Sequence, residues 1–195
     1  MKKLMFLAVF LILAIGGVLL SYQNLKSDEL QREPDIKIPI LYDEEPVAST
    51  VMTITKPYEV TSVKPIIGFY DITKENQEKS IIVINKTFIP NKGILYQDAT
   101  AFDVFSIYDG TVIETGEDDL TGKFVKINHN NNMVATYRVL DDVDVTQGDY
   151  IKKGDKIGTS GTSEIEKGYL LLFELQIKDV NVNPEDYYNK SIKEI

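Results

Sequence analysis

A mostly β, antiparallel domain behind one N-terminal membrane helix is the architecture that this 195-residue chain predicts. Three observations predict it. Met1-Lys2-Lys3 precede an unbroken apolar run from Leu4 to Leu20. From Val60 onward, short runs rich in β-branched and aromatic residues are bounded by Gly, Asn and Asp clusters, the pattern of strands and turns. Few stretches beyond the apolar run hold a helical period for more than two turns.

Taken in order, the apolar run comes first. At 1.5 Å per residue it spans about 25 Å, near the lower limit for crossing a hydrocarbon core. Ser21 and Tyr22 extend it, and the Tyr22 ring suits the headgroup level. A cleaved signal needs a small-x-small exit, and Leu19-Leu20-Ser21-Tyr22-Gln23 offers none, so residues 4–22 are expected to remain as a signal anchor. Lys2 and Lys3 before the run place residues 1–3 in the cytoplasm and the bulk of the chain outside. Residues 23–59 are polar and acidic with scattered prolines (Pro34, Pro39, Pro46 and Pro57), which predicts an extended linker, with a strand near Val51 to Val60 as the one segment able to return to the domain. The domain itself is expected over residues 60–190, with 191–195 as a tail. Its strand candidates are Ile81–Ile84, Phe102–Tyr108, Gly110–Glu114, Phe124–His129, Met133–Arg138 and Leu170–Gln176. Asp109-Gly110 reads as a hairpin turn, and Gly148-Asp149 and Gly154-Asp155 as further turns.

Composition narrows the function. Hydrophobic residues make up 43% and charged residues 26%, ordinary for a soluble domain. A net charge of −9 makes nucleic acid, anionic lipid surfaces and anionic wall polymers poor electrostatic partners. With no cysteine there is no disulfide, no lipobox acylation and no thiol nucleophile. The only histidine, His129, ends an alternating strand before the polar turn Asn130-Asn131-Asn132. Catalytic and metal sites need several convergent groups, so a structural role is expected for it.

A set of motifs carries more. Asn91-Lys92-Gly93-Ile94-Leu95, Asp109-Gly110-Thr111-Val112, Tyr137-Arg138-Val139-Leu140, the segment Gln147 to Gly158, and Leu170-Leu171-Leu172-Phe173-Glu174 occur in that order. Their glycines and turns resemble the LytM (M23, lysostaphin-like) cell-wall endopeptidases, whose corresponding motifs are H-x-G-x-D, D-G-T-V, Y-x-H-L and H-L-H-F-E. The resemblance implies a LytM-type, duplicated-hybrid-motif β-sandwich. It also implies that the three zinc-ligand positions are Asn91, Leu95 and Leu172, with the two catalytic histidine positions at Val139 and Leu170. Zinc takes lone pairs from imidazole, carboxylate or thiolate at about 2.0–2.3 Å, which leucine and valine lack. Without a bound metal no water is ionised near neutral pH. A catalytically inactive chain with no metal and no cofactor is the expectation, and the apolar residues at these positions are expected to pack.

Within that family, Ser62 to Asp71, Ile81 to Lys86 and Phe102-Asp103-Val104 look like the domain entry of the stage II sporulation protein Q group, and Asn183-Pro184-Glu185-Asp186-Tyr187-Tyr188 matches the family's terminal P-x-x-Y pattern. Proteins of that group sit in the forespore membrane and face the intermembrane space. The resemblance implies a docking scaffold for engulfment and the forespore to mother-cell channel, bound to the extracytoplasmic domain of a second membrane protein of the stage III sporulation protein AH type. Peptidoglycan contact without hydrolysis is compatible with it. Two other readings compete: a non-enzymatic activator of wall hydrolases, which commonly carries long coiled coils not seen here, and a membrane-anchored transport adaptor with a lipoyl-like hairpin at Val143 to Gly158, for which the usual long helical hairpin is missing.

Overall fold

A computed structural model describes residues 53–75, 77–130 and 132–191. The anchor expected over residues 4–22 and the linker up to residue 52 lie outside the described residues. Among the described residues no helix is long and apolar enough to cross a membrane. The strands are β1 (Lys64–Ile67), β2 (Ile81–Ile84), β3 (Thr87–Pro90), β4 (Gly93–Asp98), β5 (Asp103–Phe105), β6 (Gly110–Asp118), β7 (Gly122–Asn128), β8 (Met133–Val143), β9 (Tyr150–Ile151), β10 (Lys156–Ser163), β11 (Glu166–Ile177) and β12 (Val180–Val182). Short 3-10 turns cover Glu78–Ser80 and Pro184–Asp186.

All pairings are antiparallel, and ten strands join in one sheet of order β1-β4-β11-β10-β8-β7-β6-β9, with β12 on β11 and β5 on β10. A sandwich implies two separate sheets, whereas this hydrogen bonding runs unbroken because β8 and β11 each change partner midway. Leu172 to Ile177 of β11 pair with Arg138 to Met133 of β8, while Leu170 pairs with Gly161 of β10. Beyond Arg138, β8 turns to β10, with Leu140 opposite Ser160. The sheet forks there, and β10 enters the gap.

Side chains alternate across a strand, so each central strand serves two faces. Ile94 and Tyr96 of β4, Ala135 and Tyr137 of β8, and Leu171, Phe173 and Leu175 of β11 build the main core. Tyr137 and Phe173 are cross-strand neighbours with ring centroids 5.1 Å apart, and the Tyr137 hydroxyl accepts from the Ile107 amide at 3.1 Å, so a fully buried phenol is satisfied. The opposite face carries a smaller apolar cluster, roofed by the separate two-stranded sheet β2–β3.

Two local expectations need correction. Asp109-Gly110 is not a hairpin turn: β5 pairs with β10 rather than β6, and neither residue adopts positive φ. Glycine is needed at 110 for closeness, since a Cβ there would lie 2.6 Å from the Asn128 carbonyl oxygen and 2.8 Å from His129 Nδ1. The two-residue hairpins instead fall at Asn85-Lys86 (φ 50° and 67°) and Lys178-Asp179 (φ 52° and 64°), where both central residues take the left-handed conformation that type I′ turns require. Gly148 and Gly154 do adopt positive φ as turn residues. Finally, the last residues assigned to the linker belong to the domain. Ile54 and Tyr58 are buried in the main core, Thr53 bridges Ser191, and Ile54 exchanges backbone hydrogen bonds with Lys190 (3.1 Å) and Asn189 (2.8 Å). The chain ends of the domain are thereby laced together, with Tyr188 hydroxyl to Tyr96 hydroxyl at 2.9 Å holding the terminal segment on the core.

Candidate functional site

The strand fork gathers four of the five positions singled out by motif. Leu95, Val139, Leu170 and Leu172 lie in one buried cluster with Ile82, Ile84 and Ile165. Leu95 and Leu172 face each other in register between β4 and β11, and Leu170 stands opposite Gly161. Cross-strand neighbours of this kind have Cβ atoms about 4.5–5.5 Å apart. Ile82 and Ile84 reach down from β2, and Ile66, Ile67 and Ile89 pack against the cluster from outside. Removing such side chains from water is worth roughly 1.5–3 kcal/mol each, an upper estimate.

Val139 joins the cluster through an irregular backbone. Arg138 and Val139 are consecutive, yet both serve the roofed face, because Val139 adopts φ 63° inside a bulge against β7. Its amide leaves the ladder and donates to the Thr121 carbonyl at 2.9 Å. Left-handed backbone costs an L-residue roughly 1–2 kcal/mol, and a β-branched residue is an outlier there.

Asn91 is buried beside the cluster and fully engaged. Its Nδ2 donates to the Ile67 and Gly68 carbonyls at 3.2 and 3.0 Å, and its Oδ1 accepts from the Gly93 amide at 3.2 Å. Gly93 follows because β4 and β11 approach so closely that a Cβ would sit 2.0 Å from the Phe173 carbonyl oxygen.

Tested for a metal, this donor set fails: Leu95 and Leu172 offer no lone pair, and the Asn91 amide is spent on backbone. Among the described residues no group of three or more His, Asp or Glu side chains is arranged to hold an ion.

Sequence reasoning missed the polar rim. Arg138 Nη1 donates to Asp118 Oδ2 at 2.9 Å and its Nε to Glu174 Oε2 at 3.4 Å, while its guanidinium lies 5.1 Å from the Phe124 ring centre. Burial pushes the Asp118 carboxyl up, but hydrogen bonds from the Thr121 hydroxyl and amide, the Leu120 amide and the Arg138 charge outweigh it and hold the acid below its ordinary range. The signal was available in part, since Arg138 adjoins Val139 and Glu174 closes the last motif. The partner Asp118, at the end of β6, was not. Between this rim and the β2–β3 roof runs a cleft of about 540 Å³, lined on its apolar side by Ile82, Ile84 and Ile89 of the roof together with Leu172 of β11.

His129 lies elsewhere, in the turn between β7 and β8. It is buried, its Nδ1 lies 3.2 Å from the Asp109 carbonyl oxygen, and its Nε2 has no partner. Desolvation drives its pKa down to about 4 despite the neighbouring Asp109 and Tyr108 backbone.

Residues 89–184 match the model of peptidase family M23. The whole chain aligns with stage II sporulation protein Q of Bacillus subtilis (strain 168), at 28% identity over 208 residues and covering 74% of that protein. Stage IV sporulation protein FA of the same organism is 31% identical over 129 residues, which take in 60% of this chain and 48% of that protein. Among solved structures, the SpoIIQ–SpoIIIAH pore-forming complex contains a chain with TM-score 0.69 and 27% identity, covering 74% of this chain and 96% of that one. A zinc-containing peptidase from Vibrio cholerae, at 22% identity and TM-score 0.54 over 67% of this chain and 38% of that one, shares the fold.

Proposed function

We propose that the chain, whose residues 89–184 match the model of peptidase family M23, is a catalytically inactive, membrane-anchored docking protein of sporulation. Its outer domain binds the extracytoplasmic domain of a second membrane protein, of the kind that SpoIIIAH represents in the solved SpoIIQ–SpoIIIAH complex. The carrying observation is that similarity to stage II sporulation protein Q extends over the entire chain, including the predicted anchor at residues 4–22, and is not confined to the peptidase-like region.

The site chemistry agrees with a role other than hydrolysis. Apolar packing at Leu95, Val139, Leu170 and Leu172 puts no base and no metal-binding lone pair at these four positions of the fork. A docking protein needs none of these. It needs an accessible surface, and β6 supplies one: beyond Val112 it pairs with β7 alone, and Ile113 to Glu117 are exposed along the other edge. An open edge can add a partner's strand through main-chain hydrogen bonds.

Two measurements on the full-length chain in phosphatidylcholine nanodiscs test the proposal together. Metal analysis and incubation with purified peptidoglycan should give no stoichiometric zinc and no released peptides. Biolayer interferometry against a SpoIIIAH-type extracytoplasmic domain should give saturable binding. Hydrolysis, or no binding, overturns it.

A further inference from the structure

The 540 Å³ cleft remains after packing and docking are assigned, and its walls are chemically uneven. The apolar lining, Ile82, Ile84 and Ile89 of the roof with Leu172, is entirely aliphatic. On the rim, Asp118, Asp119 and Glu174 outnumber the cations Arg138 and Lys92, and Arg138 is already engaged by two of the three acids. Across the Leu120 turn, Glu117 and Glu164 line an adjoining hollow, so five carboxylates surround this end of the molecule. Leu120 itself is 51% exposed between the two hollows.

From this complementarity we propose that the cleft receives an extended polypeptide segment of a partner in which an apolar side chain neighbours a lysine or arginine. The apolar side chain packs against the accessible aliphatic lining at Ile89 and Leu120, where burial favours it by about 25 cal/mol per Å². The flanking cation lies along Asp119 and the Glu174 oxygen that Arg138 does not engage, with Asp118, both of whose oxygens already accept hydrogen bonds, adding its charge. Anionic ligands are repelled by the same rim. A volume of this size is typical of a side-chain or small-ligand pocket. The placement also suits a bound strand, because the acidic rim begins at Asp118, where the open edge of β6 ends. A partner paired along Ile113 to Glu117 would deliver its next residues here. The inference rests on the docking reading and specifies the chemistry of the partner.

The test uses the full-length chain in phosphatidylcholine nanodiscs and a blocked, fluorescein-labelled peptide of alternating leucine and lysine, with an alternating leucine and glutamate peptide as its counterpart. The lysine peptide should raise anisotropy saturably and protect residues 82–92 and 118–121 from hydrogen exchange. The glutamate peptide should do neither. Asp119→Lys should weaken the lysine peptide roughly fivefold, as reversal of a rim charge does. Leu120→Asp should weaken it less, and both variants must unfold at the wild-type urea midpoint. Equal binding of both peptides, protection confined to other segments, or no effect of Asp119→Lys overturns the inference. Binding of the SpoIIIAH-type domain is measured on the same samples. If that domain binds and the peptide does not, the cleft inference falls and docking stands. If the domain fails to bind, the docking reading falls whatever the peptide does.

Discussion

Replacing Leu95 by aspartate puts there the carboxylate of the H-x-G-x-D motif that Asn91 to Leu95 resembles, and the structure sets its cost. Leu95 is fully buried, faces Leu172 across β4 and β11, and is roofed by Ile82 and Ile84. Truncating a leucine in such a site costs about 2–5 kcal/mol. A carboxyl group with no hydrogen-bond donor nearby adds at least about 1–3 kcal/mol even when it stays protonated. The sum, about 3–8 kcal/mol, is comparable to the whole stability of a typical domain, about 5–15 kcal/mol. Leu95→Met, which keeps volume and polarity, should cost less than about 1.5 kcal/mol. Urea unfolding followed by circular dichroism, with m compared between variants, reads both numbers. The triple variant Asn91→His, Leu95→Asp, Leu172→His adds a second arm. If these side chains converge as the register places them, zinc should raise its midpoint, since structural zinc binding contributes about 10–16 kcal/mol in favourable cases. A Leu95→Asp midpoint within error of wild type would refute the packing argument. A triple variant indifferent to zinc would refute the equivalence of the three positions to a ligand set.

Three further outcomes are expected. His129 is held near pKa 4 by burial against an ordinary 6.5, so the folded state binds fewer protons; the contribution is nil above pH 6.5 and stability is lost as pH falls toward 4. Between pH 7 and 5 the wild type should lose about 2 kcal/mol more than His129→Leu, read from paired urea midpoints. Val139→Gly should be nearly neutral, within about 1 kcal/mol, because relief of left-handed strain offsets lost burial, whereas Val125→Gly, equally buried in a regular strand, should cost more than about 3 kcal/mol. Gly93→Ala should destabilise by about 2 kcal/mol or more, since the clash is with the Phe173 backbone rather than a movable side chain.

The parts of this fold legible in the sequence are those that local patterning encodes. Ile81–Ile84 coincides with β2, and the candidate runs at 124–129, 133–138 and 170–176 fall within or at the ends of β7, β8 and β11. What escaped is long-range. The extension of β8 past Arg138, the partner change at Val139 and the entry of β10 depend on which strand lies alongside, which no local period records. Asn85-Lys86 was hidden because only Asn is a turn residue there, while the lysine adopts left-handed backbone under constraint from the hairpin. Ile54 and Tyr58 sit among prolines and charges, and their burial is set by the distant residues Asn189 and Lys190. In the site, the apolar character of Leu95, Val139, Leu170 and Leu172 was legible by motif, and the Arg138–Asp118 pair was not, because Asp118 lies in a different motif's strand.

Two demands meet in these motifs, backbone proximity and side-chain packing, and they fall on different residues. Gly93 and Gly110 satisfy backbone proximity: each is wedged against a neighbouring carbonyl, so neither can vary while the strands stay paired, whatever chemistry the site performs. The side chains at 91, 95 and 172 are set by hydrogen bonding and packing instead. Leu95 and Leu172 still bridge β4 and β11, now by burial, and the β2–β3 roof closes over them because its inner face is isoleucine. Closing the roof removes Leu95, Leu170 and Leu172 from solvent and anchors the β2–β3 hairpin that carries the cleft's upper wall. The rim and the β6 edge, with Arg138, Asp118 and exposed main chain, lie outside this packed fork. A specific partner interface can evolve on that surface without disturbing the packed fork beneath it.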